Sequence, residues 1–218
     1  MEKYPDHETY AKLYLRFYNP VSTRDLARTA EASGKTILDL CAGSGRLALE
    51  ALHQGAEKVW LVEQEKEMVP RNLYSNTKIT TSIGRVEEWM EWFIEKKKLF
   101  DAVVCQQAIN YWLNDRTAGL VAGVLKDGGA FVFNTFNQKP SGKPAVREYE
   151  IEDKKFVETS WLVGVTVHHV QVREGMAPHT TSFQWLSTKH LMNILTPSFL
   201  VTVKTYGKTS VYRCVKKK

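Results

Sequence analysis

The segment Ile37-Leu-Asp-Leu-Cys-Ala-Gly-Ser-Gly-Arg-Leu-Ala-Leu-Glu-Ala-Leu52 constrains the fold more than any other part of the chain. An apolar run ends in Asp39, the chain turns through Gly43 and Gly45, and apolar residues then recur at helical spacing. That succession predicts a strand, a glycine loop and a helix. Neither glycine carries a Cβ, so the backbone can turn sharply there and come close to a ligand. Twenty residues after Gly43 a second strand, Lys58-Val-Trp-Leu-Val-Glu63, ends in a carboxylate. A nucleotide-binding α/β unit holds ribose hydroxyls with an acid at that spacing, so the pair points to an adenosine-containing cofactor.

Two cofactors compete. The string Gly43-Ser-Gly-Arg-Leu-Ala48 matches the dinucleotide pattern G-x-G-x-x-G/A, and the distance to Glu63 suits NAD. Asp39 favours the other: a carboxylate four residues before the first glycine repels a pyrophosphate and attracts an ammonium, or a water bound to one. S-adenosylmethionine carries an ammonium and no phosphate. Asp39-Leu-Cys-Ala-Gly-Ser-Gly45 resembles the D-x-x-x-G-x-G loop of class I S-adenosylmethionine-dependent methyltransferases. The resemblance implies an α/β fold, a doubly wound, mostly parallel seven-stranded sheet of Rossmann-like type with an antiparallel β insertion after the fifth strand. It also implies S-adenosyl-L-methionine as cofactor, with S-adenosyl-L-homocysteine as product. Asp39, Cys41, Gly43, Gly45 and Arg46 would then contact it, Cys41 as a small space-filling residue.

The 218 residues suit one domain, with 1–34 as a helical lid and 138–187 as a β insertion over the active site. A net charge of +6 raises the question of a nucleic-acid partner, but Lys96-Lys-Lys98 and Lys216-Lys-Lys218 fall at element ends and read as solvated. Three cysteines, far apart and without a C-x-x-C pair, suggest neither a disulfide framework nor a zinc site, and no metal is expected. No apolar stretch has the length to span a bilayer, and Met1-Glu-Lys-Tyr-Pro-Asp6 lacks a signal peptide's apolar segment, so the expected location is the cytoplasm.

A helix over Asp6 to Phe17 carries Tyr10, Tyr14 and Phe17 or Tyr18 as an aromatic stripe. Ser22-Thr-Arg-Asp25 has the shape of a capping box opening a second helix, which Gly34 closes. Beyond Glu63 the pattern predicts a helix over 65–76 interrupted at Pro70, strands near 79–83, 100–105 and 130–134, and helices near 87–95 and 115–125. Asp127-Gly-Gly129 is a turn before the fifth strand. After Asn137 three runs rich in β-formers, at 146–151, 156–172 and 180–186, predict antiparallel strands. A short helix at 188–195 and a hairpin of 199–206 with 209–215 complete the chain.

Glu63 is expected to accept from both ribose hydroxyls. Gln64 and Met68 flank the adenine, as does Val86 through its backbone or Glu87 through its side chain. Gln106 meets the cofactor past the fourth strand, while Asn110, Tyr111 and Trp112 face the acceptor. Gln106-Gln-Ala-Ile109 stands where nucleic-acid amino-methyltransferases show N/D-P-P-Y/F, so base methylation is disfavoured. Tyr10 and Tyr14 would cover the cofactor. Tyr14, Tyr18 and Tyr111 are the catalytic candidates, aligning an acceptor near the sulfonium. His168 and His169 must point to opposite faces of a strand, so at most one faces the pocket. The N-terminal helix and the insertion are similar to small-molecule N-methyltransferases of the sugar-amine and glycine types, which implies a small amine acceptor. Methylation of RNA or protein, and a non-catalytic S-adenosylmethionine-binding module, are the competing readings. An open edge of the insertion would allow a homodimer.

Overall fold

Five runs become parallel strands, all but the Thr/Ser-rich third largely apolar: β1 (Thr36–Leu40), β2 (Lys58–Glu63), β3 (Ile79–Ile83), β4 (Phe100–Gln106) and β5 (Leu125–Phe136). The computed structural model describes residues 20–218 apart from 138, 140, 152–153 and 174–177. Four of the five residues of β1 are buried, as expected of a parallel strand covered on both faces. The hairpin β10 (Phe199–Tyr206) and β11 (Thr209–Lys216) extends the sheet, β11 lying antiparallel to β5, in the order β10-β11-β5-β4-β1-β2-β3.

One face is covered by α1 (Pro20–Thr29) and α2 (Arg46–His53), whose Leu26, Ala27, Leu47, Ala48 and Ala51 pack on Ile37, Val59 and Leu61. The other carries α4 (Val86–Glu95), α6 (Asp115–Val124) and α7 (Thr188–Leu195), with Met90, Phe93, Val121 and Leu191 against Leu38, Leu40, Phe131 and Phe133. Short helices α3 (Arg71–Tyr74) and α5 (Ile109–Trp112) follow β2 and β4. Asn114 caps α6, its side chain accepting from the Thr117 N–H at 3.0 Å while Thr117 Oγ1 accepts from the Asn114 N–H.

A second, four-stranded antiparallel sheet, β6 (Ala145–Ile151), β7 (Lys154–Val163), β8 (Thr166–Arg173) and β9 (His179–Gln184), lies between β5 and α7 in sequence. The single run expected over 156–172 is two of these strands, folded back at Gly164, whose φ of +61° suits a tight turn. The helix expected over 65–76 is a 3-10 turn (Lys66–Met68) followed by α3, because Pro70 has no N–H to continue it. Helix α1 already runs at Pro20, so Ser22 lies within the helix and not at its described start. Strand β5 starts five residues early, at Leu125, which pairs with Phe100 before Asp127-Gly-Gly129 is looped out and pairing resumes at Ala102 and Ala130. Tyr10, Tyr14, Tyr18 and the helix expected over 6–17 lie outside the described residues.

Candidate active site

The C-terminal ends of β1, β2 and β4 border a cavity of about 350 Å³. This is the edge at which open α/β sheets place ligands. The loop after β1 is held by the Ala42 N–H donating to the Val62 carbonyl at 3.1 Å and the Gly45 N–H to the Ala42 carbonyl at 2.9 Å. Gly43 and Gly45 both lie in the left-handed region, at φ +54° and +71°. Their surroundings differ. A Cβ on Gly43 would meet only Met68 Cε, at 3.8 Å, whereas one on Gly45 would overlap Leu73 Cδ1 and press Leu61 Cδ1 at 3.1 Å. Gly45 therefore lets α2 pack on the sheet, and Gly43 keeps the cavity wall open.

Glu63, at the end of β2, is 9% exposed and fixes the loop from the neighbouring strand. Its Oε2 accepts from the Gly43 N–H at 2.7 Å and its Oε1 from the Glu65 N–H at 3.0 Å. Burial raises its pKa, and the backbone donors of Glu65, Gly43 and Gln64 oppose that rise. Asp39 is more deeply buried, at 1% exposure, and neither carboxyl oxygen has a hydrogen-bond partner among the described residues. Burial pushes its pKa up to about 8; the Ala48 amide pulls it down and the Glu63 charge adds to the rise. Cys41 shares a thiol hydrogen bond with Cys105, and that contact together with burial holds its pKa well above the usual range. Such a thiol fills space and does not act as a nucleophile.

The residues singled out in the sequence converge. Asp39, Cys41, Gly43 and Arg46 line the cavity from the first loop; Glu63, Gln64 and Met68 line it from the second; Val86 and Glu87 from the start of α4; Gln106 and Tyr111 from the segment after β4. Gly45 stands behind the wall, under Leu73. Gln106 Nε2 donates to Thr23 Oγ1 at 3.2 Å, tying α1 to the rim. Tyr111 packs on Phe183 of β9 with ring centroids 5.2 Å apart. Asn110, expected to face an acceptor, is engaged elsewhere: its Oδ1 accepts from Thr135 Oγ1 and its Nδ2 donates to the Gln184 carbonyl, both at 2.8 Å. His168 stacks on Trp161 and His169 approaches Glu158 at 3.7 Å; neither is among the described residues lining the cavity.

Sequence reasoning missed Asn134. Fully buried on β5, it accepts from the Gln107 N–H at 3.0 Å and holds Gln107 at φ +55°, shaping the cavity's far rim. Its signal was a lone amide closing the apolar run Phe131-Val-Phe133. Trp112, which also lines the cavity, carries a buried indole N–H with no partner among the described residues.

A family described as "Conserved hypothetical protein 95" matches residues 25–107, from α1 to the end of β4. No curated protein matches the sequence. Among solved structures the chain is similar to S-adenosylmethionine-bound CalS10, an amino pentose methyltransferase from Micromonospora echinaspora, at a TM-score of 0.75 and 14% identity over 100% of both chains. An S-adenosylmethionine-dependent methyltransferase from Clostridium acetobutylicum gives 0.71 at 14% identity, covering 97% of this chain and 99% of that one. Streptomyces venezuelae DesVI gives 0.69 at 16%, over 99% and 100%. The chain has the Rossmann-like fold of class I methyltransferases, complete with the antiparallel hairpin that ends its sheet.

Proposed function

We propose that this protein binds S-adenosylmethionine and transfers its methyl group to a small amine. The observation that carries the reading is Asp39, a buried carboxyl without a hydrogen-bond partner among the described residues, at the root of an open glycine loop. Such a group suits an ammonium, which can stabilise its carboxylate, and gives the pyrophosphate of a dinucleotide no cation to pair with. Glu63, at the neighbouring strand end, is assigned the ribose hydroxyls, and Arg46, opening α2, the amino-acid carboxylate. Gln64, Met68, Val86 and Glu87 are assigned the adenine, Met68 because its thioether adapts to a flat ring. Tyr10 and Tyr14 of the N-terminal segment are assigned to cover the cofactor.

When bound, S-adenosylmethionine supplies an electrophilic methyl on a sulfonium. What the chain must add is placement: an acceptor lone pair held in line with that methyl, and water kept away. Gln106 and Tyr111 border the acceptor side, joined in this reading by Tyr14 and Tyr18. The β6–β9 sheet serves as a roof, meeting the rim where Phe183 packs on Tyr111. The small amine acceptor rests on full-length likeness to CalS10, an amino pentose methyltransferase, and on the absence of a base-gripping tetrapeptide at Gln106-Gln-Ala-Ile109.

Calorimetric titration with S-adenosyl-L-homocysteine, followed by a labelled-methyl assay on a fractionated amine extract, tests both halves. Glu63→Ala is expected to weaken binding by about 1.5–3 kcal/mol through lost charge-assisted hydrogen bonds. Tight NAD binding with none for S-adenosyl-L-homocysteine would overturn the cofactor, and labelled nucleic acid in place of labelled amine would overturn the acceptor.

A further inference from the structure

Asp39 and Glu63 end adjacent parallel strands and open into one cavity. Two buried carboxyls that feel each other's charge do not readily ionise together. Their surroundings divide the roles. Glu63 accepts from the amides of Gly43 and Glu65, which stabilise its charge, while the Asp39 carboxyl makes no hydrogen bond to a described residue and has only the nearby Ala48 amide to offset its burial. The negative charge belongs on Glu63 and the proton on Asp39. The other charged groups of the cavity are Glu65 past β2, Arg46 opening α2, and the Arg85–Glu87 pair opening α4, 3.6 Å apart. The Cys41 thiol meets Cys105 between β1 and β4, and that contact together with burial holds the Cys41 pKa well above the usual range.

Building on the function proposed above, we propose that Asp39 selects the cofactor by proton exchange: the protein alone holds it as the neutral acid, and docking of the cofactor's ammonium sends that proton to solvent. One carboxyl O–H bond breaks, the proton goes to buffer, the ammonium keeps its own protons, and an ion pair forms with no new covalent bond. The neutral acid avoids a lone buried carboxylate in the protein by itself, which would be costly. The carboxylate is produced only where a cation arrives to stabilise it. A ligand with the same nucleoside but no amino-acid end gains nothing from ionising Asp39. The site thereby discriminates between S-adenosyl amino acids and other 5′-substituted adenosines by charge as well as by shape.

Burial places the Asp39 transition at about 8. Below it, affinity for an ammonium ligand should rise about tenfold per pH unit, flattening above it and falling once the ligand's own amino group loses its proton. The experiment is calorimetric titration from about pH 6 to about pH 9, in two buffers of different ionisation heat, with S-adenosyl-L-homocysteine and with 5′-methylthioadenosine, which lacks the amino-acid end. Expected are release of about one proton and a steep pH profile for the first ligand, and a flat profile without release for the second. Asp39→Asn should flatten the first profile, and a cooperative urea unfolding transition followed by tryptophan fluorescence reports that the variant is folded. Parallel profiles for the two ligands, or a flat profile for both, would overturn the proton exchange while leaving the cofactor reading standing. Failure of both to bind the wild type at every pH would remove the cofactor reading and the exchange with it.

Discussion

Gly43 and Gly45 have nearly the same left-handed backbone but different neighbours, so an added methyl separates conformation from packing. At either position alanine costs about 1 kcal/mol for the left-handed conformation alone. Gly34, at φ +68° with nothing within 4 Å of an added Cβ, measures that cost by itself. At Gly45 the methyl would overlap Leu73 Cδ1, a side chain only 1% exposed, and crowd Leu61 Cδ1. Forcing a packed core apart adds about 1–3 kcal/mol. Gly45→Ala should therefore lose about 2–4 kcal/mol in all, and its Tm should fall by roughly 10 °C for a chain of this size. Gly43→Ala should resemble Gly34→Ala in stability but bind S-adenosyl-L-homocysteine at least about tenfold more weakly, because its methyl enters the cavity beside Met68. Urea unfolding followed by tryptophan fluorescence gives the stabilities, and titration gives the affinities. Gly45→Ala no less stable than Gly34→Ala, or Gly43→Ala binding like the wild type, would refute this division of labour.

Asp39 should shape stability as well as binding. Between its ordinary value of 3.8 and about 8 the unfolded chain is ionised at this residue while the folded protein keeps the proton, so stability falls as pH rises through that window and then levels. Asp39→Asn should remove this slope and be about 1–3 kcal/mol more stable than the wild type at neutral pH, after the cost of a buried amide; denaturation over a pH series checks it, and an unchanged slope in the variant counts against it. Asn114→Ala removes both halves of the cap on α6 and should cost about 1 kcal/mol in the same assay without changing nucleoside affinity. Association with DNA or RNA should be weak and fade steeply with added salt; saturable, sequence-selective binding at physiological salt would restore nucleic acid as an acceptor.

The parallel strands, the glycine loop and Glu63 were legible in the sequence because they depend on local chemistry: apolar runs, residues without a Cβ, an acid closing a strand. The terminal hairpin was legible for the same reason, through Gly207-Lys208 between two β-rich runs. What escaped depended on distant partners. Nothing near Asn134 announces that its amide holds Gln107, 27 residues earlier, in a left-handed conformation. Asn110 looked like an acceptor contact because it follows β4, yet its partners Thr135 and Gln184 arrive from 25 and 74 residues away. In the segment 65–76 the interruption at Pro70 was legible and is observed, but the pieces it leaves, a 3-10 turn and a single helical turn, are too short for sequence spacing to define.

The amide of Asn110 clasps Thr135 of the main sheet with its oxygen and β9 with its nitrogen. On the β9 side it grips the carbonyl of Gln184, a group that every amino acid possesses. The strut therefore places no demand on which side chain stands at position 184. Position 184 can exchange its side chain while the clasp stays intact, whereas its neighbour Phe183, whose ring packs on Tyr111, cannot change so freely. Asn110, by contrast, has to remain an amide, the one side chain of its length able to accept from Thr135 and donate to Gln184 together.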